Sequence, residues 1–167
     1  SLSYELITNS FQASASTVSN GGLFNVIPNT NAFGVFTFAY GVCDSGNLCD
    51  TATVTATILP VNDAPVLTNT SYAYSILEDD SLEVNIIAED AEDDAIGYSL
   101  LNASAGMAID SNGNLTVFAG ANQFGVWTAH IEACDVLGAC STSPLSVSVQ
   151  PVNDLPVAMN DSFISSE

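Results

Sequence analysis

The sequence predicts an all-β chain of tandem antiparallel β-sandwiches, and three observations carry that prediction. A block recurs 91 residues on. Phe33-Gly34-Val35 returns as Phe124-Gly125-Val126, Cys43-Asp44 as Cys134-Asp135, and Cys49 as Cys140. Pro60-Val61-Asn62-Asp63 returns as Pro151-Val152-Asn153-Asp154, with no gap between any of these pairs. Self-similarity at a fixed long period marks one structural unit strung in an array. The strongest segments alternate polar and apolar residues with period two, and turn residues interrupt them roughly every ten positions, as in a sandwich.

The elements follow in chain order. Tyr4 and Leu6 match Tyr98 and Leu100 after a three-residue slip, which places an early strand of the first unit there. Phe36, Phe38, Tyr40 and Val42 alternate with other residues, and the copy sets Trp127, Ala129, Ile131 and Ala133 on the matching face. Aromatic and β-branched residues on one face suit a sandwich core. Thr53–Ile58 alternates cleanly, and Leu145–Val149 keeps the same parity. Further strands are predicted at Ser81–Ala88, Ala95–Leu101 and Asn114–Phe118, with Asn112-Gly113 as a hairpin turn before the last.

These elements divide the chain into residues 1–61, 62–152 and 153–167. The middle piece is a complete unit. The first lacks the equivalent of Asn62–Asp94, a stretch expected to hold two strands. Leu155–Glu167 is expected to open a third unit, because Asn160 and Phe163 fall opposite Asn69 and Tyr72. A pattern that starts and stops mid-unit reads as a piece of a longer protein. A sandwich short of two strands exposes core and unpaired edges. Either the longer chain supplies them or a neighbouring molecule does by strand addition.

Charge narrows the function. There are 19 Asp plus Glu and no Lys or Arg, a formal net charge of -19, while 47% hydrophobic residues argue against disorder. Phosphate backbones and anionic membranes are gripped by cationic side chains, so nucleic acid and membrane partners are excluded. Such an acid excess is offset by divalent cations or simply keeps an extracellular protein soluble. Glu89, Asp90, Glu92, Asp93 and Asp94 crowd together, and like charges this close repel unless a cation bridges them. The competing reading is a solvated acidic loop. No stretch of about 18 apolar residues offers a membrane span.

Cys43 and Cys49 bound a five-residue loop, and Cys134 and Cys140 bound its copy, each pair closing a predicted hairpin. One local disulfide per unit is the simplest reading and implies an oxidising compartment. Zinc on four thiolates competes, but the pairs fall in separate units and no paired His supplements them. His130 is the only histidine and parity puts it on the outer face, so no nucleophilic triad is expected. There is no Gly-rich phosphate loop, and the acids fall in linkers and loops. The chain is not expected to be an enzyme.

Pro60–Val66 and Pro151–Val157 resemble the inter-domain linker of cadherin repeats, and more specifically the tandem cadherin-like repeats of large bacterial surface adhesins. Leu77-Glu78-Asp79, Asp90–Asp94, Gly125-Val126-Trp127 and Ala133-Cys134-Asp135 support the resemblance, which covers nearly the whole chain. It implies a Greek-key sandwich with calcium at the junctions. Asn62 and Asp63 would then be linker ligands at the first junction, Asp90 and Asp93 the paired acids of the following unit, and Asp135 a supporting acid. Glu78, Asn153 and Asp154 would serve the second junction. The acid–basic–acid motif of animal cadherins is missing from Asn114–Phe124, and the first unit has no equivalent of Glu78, so one or two ions per junction are expected rather than three.

The resulting expectation is a calcium-stiffened spacer of an extracellular or cell-surface adhesin, touching neighbouring repeats or identical subunits. Two alternatives stand beside it. A carbohydrate-binding module would use Tyr72 and Tyr74 as an exposed stacking face. A filament subunit would use Leu155–Glu167 to complete the first unit of a neighbour.

Overall fold

The computed structural model describes residues 1–8, 13–17, 22–162 and 164, with 13–17 as backbone alone. It is all-β, and its contacts divide it into two compact units: residues 1–63 with 91–93, and residues 64–90 with 94–167.

The first unit holds β1 (Ser3–Thr8), β2 (Ala13–Thr17), β3 (Phe24–Pro28), β4 (Gly34–Cys43) and β5 (Cys49–Ile58). One sheet runs β1-β4-β5, and β2-β3 form a hairpin. The period-two pattern of β4 turns Phe36 and Phe38 inward, where Phe24, Val26, Leu6, Val54, Ala56 and Ile58 pack on them. Phe24 lies 5.1 Å from Phe38 and 4.8 Å from Tyr40, centroid to centroid, within the range where tilted ring pairs attract.

The second unit continues with β6 (Val66–Leu67), β7 (Tyr72–Leu77), β8 (Ser81–Asn85), β9 (Ala88–Glu89), β10 (Gly97–Leu101), β11 (Met107–Ile109), β12 (Asn114–Phe118), β13 (Gly125–Cys134) and β14 (Cys140–Gln150). One sheet is β10-β13-β14-β7; β11-β12-β8 and the short pair β6-β9 make up the rest. β7 runs parallel to β14 and every other pairing is antiparallel. Leu115, Val117, Ile131, Leu145 and Val147 are almost wholly buried between the layers.

Strand register repeats along with the sequence. Tyr4 sits opposite Val42 and Tyr98 opposite Ala133, which is the three-residue slip read from the sequence. Three expectations need correction. Ser81–Ala88 is not one strand: it pairs with β12 up to Asn85, then Ile86 donates its N–H to Gly113 O and the chain crosses to pair with β6. The strand expected from Ala95 starts at Gly97. The segment absent from the first unit holds four short strands in the second, β6 to β9, rather than two. Leu155, Val157 and Met159, in the segment expected to open a third unit, are exposed, and Phe163 lies outside the described residues.

The predicted Asn112-Gly113 turn links β11 to β12, and its glycine is required. Gly113 has φ +85°, and a Cβ there would lie 2.4 Å from Ile86 O. Gly113→Ala is therefore expected to unfold the second unit at lower denaturant, by about 1 kcal/mol or more, in a urea titration. Asp110 organises the same turn, accepting N–H bonds from Asn112 and Asn114 and one from the Asn114 side-chain amide at 2.8 Å. Those bonds, the amide's first, hold its carboxyl below the ordinary aspartate range. A depressed folded-state pKa means the stabilisation is complete above the ordinary range and is lost as pH falls through the lowered value. An NMR titration should find Asp110 protonating below a free aspartate; titration at the ordinary value would contradict these bonds.

Candidate metal centre

Glu78 and Asp135 fall at opposite ends of the second unit. β7 ends beside the end of β14, and Glu78 follows it directly. There Glu78 donates its N–H to Gln150 O at 2.9 Å and accepts the Val152 N–H on Oε1 at 2.7 Å. This tie fixes it to the residue that precedes Asn153-Asp154. Glu78 is only 3% exposed, and Oε2 has no hydrogen-bond partner among the described residues. A carboxylate buried with half its oxygens unpaired is costly unless a cation compensates it, and the sequence holds no Lys or Arg. Asn153 and Asp154 are exposed, with Asn153 Nδ2 reaching Asp154 O at 3.4 Å. A buried carboxylate beside an oxygen-rich, uncharged-to-acidic linker suits a hard divalent ion.

At the other end, Gly97 faces Cys134, so the loop carrying Asp135 lies where β10 begins, shortly after the 90–94 turn. Asp90 Oδ1 accepts the Asp94 N–H at 3.0 Å. Asp93 follows the turn with φ +61°. In the first unit's cluster, Asp63 N–H reaches Glu92 Oε2 at 3.1 Å, and both line a cleft of about 250 Å³ with Asn29, Asn31 and Pro60. Asn62 stands one residue before Asp63 and is partly buried. Glu92 is a participant that sequence reasoning left inside the charge run; only its side-chain bond to the linker singles it out.

Several of the aspartates serve turns. Asp135 Oδ1 accepts the N–H groups of Leu137 and Ala139, and Asp44 Oδ1 those of Gly46 and Leu48. Asp110 does the same two and four residues on. A short carboxylate satisfying nearby backbone donors is the usual use of Asp in loops, and it explains why acids concentrate between strands.

The cysteines form two local disulfides, Cys43–Cys49 and Cys134–Cys140, and no described cysteine is free. That removes zinc on four thiolates. Glu132 lies close to Cys134 and Cys140, but both sulfurs are consumed in the bridge and Glu132 accepts a bond from Ser99 at 2.8 Å. Converting Cys134 and Cys140 to serine should cost the second unit about 2 kcal/mol by chain entropy, read as a lower urea midpoint. An unchanged midpoint would mean the Asp135 turn alone closes the hairpin.

Tyr72 and Tyr74 do not form an exposed platform. They pair opposite Leu145 and Val147, whose side chains face the core, so the same parity turns both rings inward. Burial, then the neighbouring Tyr72, pushes the Tyr74 phenol above its ordinary pKa. The carbohydrate reading loses its stacking face. His130 is exposed on β13, as parity predicted.

A family model described as a bacterial Ig domain matches residues 1–57 and again residues 62–148. The chain belongs to the bacterial Ig domain family. These bacterial Ig domains match no curated protein sequence. Their fold is similar to that of cadherin repeats. Human mucin-like protocadherin EC1-2 matches with a TM-score of 0.60 at 19% identity, over 90% of this chain and 85% of that one. Human CDH23 EC21-23 gives 0.62 at 16%, over 89% and 58%. A protocadherin gammaB7 EC3-6 cis-dimer structure gives 0.61 at 15%, over 89% and 41%. This bacterial Ig chain thus spans well under two thirds of the latter two. The resemblance to cadherin-like repeats holds at the level of fold, and the family model names it bacterial Ig.

Proposed function

We propose that this chain is a calcium-binding spacer segment of an extracellular or cell-surface adhesion protein, in which residues 62–152 form one complete repeat. The observation that carries the reading is Glu78, a carboxylate sealed in the fold beside the Asn153-Asp154 linker, with one oxygen unpaired among the described residues and no Lys or Arg in the sequence. Glu78, Asn153 and Asp154 would hold calcium at the end of the second unit. Asn62, Asp63, Asp90 and Asp93, with Asp135 in support, would hold it at the preceding linker. The bound ion supplies positive charge and several coordination bonds to oxygen. The protein's own residues position the carboxylate and fix the linker by the Glu78–Val152 bond.

Two disulfides support an oxidising, extracellular setting. A non-catalytic role fits the described residues, whose acids are largely tied into turns and whose lone histidine is exposed. Restraint of the linkers by calcium is testable by small-angle scattering. Chelation should broaden the distribution of interdomain geometries and enlarge its spread, and restoring calcium should reverse this. Scattering curves that superimpose with and without chelator would remove the stiffening role.

A further inference from the structure

We propose that the Cys134–Cys140 bridge, once opened by a dithiol reductant, becomes a site for a thiophilic divalent ion of the zinc type, held by both sulfurs and the Glu132 carboxylate. Nothing in it depends on the calcium reading. Ligand atoms of these three side chains lie within 4.8 Å of one another. Strand geometry explains why. Cys134 and Cys140 are direct partners at the end of the β13-β14 ladder, and Glu132 stands two residues before Cys134. Period two therefore puts all three on one face of the sheet. On β10, Gly97 faces Cys134, and a Cβ there would meet only Cys134 O, at 4.0 Å, so that position leaves the bridge uncovered. Cys140 is exposed and open to a reductant.

The loop between the sulfurs is held without the S–S bond. Asp135 donates its N–H to Ala139 O at 3.0 Å, and its Oδ1 accepts the Leu137 and Ala139 N–H groups at 2.8 and 2.9 Å. Ser99 Oγ donates to Glu132 Oε2 at 2.8 Å from the neighbouring strand, which fixes the carboxylate and leaves its second oxygen for the ion. Hydrogen bonds of this kind orient metal-ligating carboxylates. The dithiol passes two electrons to the bridge by thiol–disulfide exchange and closes to its own disulfide, leaving Cys134 and Cys140 as thiols. The ion then displaces both thiol protons. Two thiolates and a carboxylate surround it, and water fills the fourth tetrahedral position. Thiolate ligands select such an ion over calcium. Reoxidation withdraws the sulfurs and releases it.

The first unit supplies the contrast. Cys43–Cys49 closes the equivalent turn, but 91 residues before Glu132 stands Gly41. Glu5 lies opposite Gly41, yet no third ligand atom comes as close to those two sulfurs among the described residues.

The test titrates cadmium(II), a zinc-like ion whose bonds to thiolate absorb in the ultraviolet, into the full chain. The chain is reduced with a dithiol, freed of it under nitrogen, and kept in excess calcium to occupy sites built from oxygen alone. The double variant Cys43→Ser, Cys49→Ser leaves only the second bridge, and Cys134→Ser, Cys140→Ser leaves only the first. The former is expected to bind one ion at least tenfold more tightly than the latter, and the unreduced chain to show no band. Glu132→Gln, which still accepts the Ser99 bond and keeps both sulfurs, should close most of that gap. Equal affinity of the two dithiols overturns the proposal, as does the absence of a saturable band or an unchanged affinity in Glu132→Gln. Loss of the near-ultraviolet circular dichroism of Trp127 on reduction also overturns it, because the sulfurs must stay apposed.

Discussion

Phe38→Ala is expected to abolish cooperative unfolding of the first unit while leaving the second intact. Phe36 and Phe38 are the only core residues of that unit that are fully buried among the described residues, and Phe38 packs against Phe24. Removing a buried phenylalanine ring costs about 3–5 kcal/mol. Whole domains rest on a margin of about 5–15 kcal/mol, and a unit with two fully buried core residues among those described belongs at the low end. Residue-resolved hydrogen exchange should therefore show protection lost across Phe24–Ile58 and retained at Ile131, Leu145 and Val147. Loss of protection in both units together would mean that they fold as one cooperative body.

The second large effect is a change of sign at Glu78. In chelator, Glu78→Gln keeps an oxygen to accept the Val152 N–H and removes a buried charge that no side-chain cation balances, so the variant should be at least as stable as the wild type. In calcium the order should reverse. A ligand at a thousand times its dissociation constant stabilises the form it binds by about 4 kcal/mol, and the variant forfeits the share contributed by the Glu78 site. Thermal melts of both proteins, with calcium and with chelator, check the crossing. If the glutamine variant is the less stable one under both conditions, the carboxylate serves the fold and not a cation.

Much of this was legible in the sequence because local and long-range signals agreed. The alternation in Thr53–Ile58 and Leu145–Val149 sets which side chains face inward, and the 91-residue period carries one assignment to its copy. The cysteine spacing placed each bridge across a hairpin, where both disulfides are found. What stayed hidden depends on partners distant in the chain. Parity puts Tyr72 and Tyr74 on one face, but only the parallel pairing with β14, more than 70 residues away, decides that this face is the core. Ser81–Ala88 looks continuous because its composition is, yet the strand changes partners at Ile86. Among the acids, the sequence cannot separate those that cap turns, such as Asp44 and Asp135, from one that is sealed beside a linker. Glu78 is distinguished by burial and by Val152, neither of which has a local signature.

The most direct measurement is a calorimetric titration of calcium into the chelator-stripped chain, run in parallel on Glu78→Gln. Saturable binding by the wild type is predicted, with at least one fewer ion bound by the variant. No heat up to several millimolar calcium, or the same isotherm from both proteins, would contradict the account.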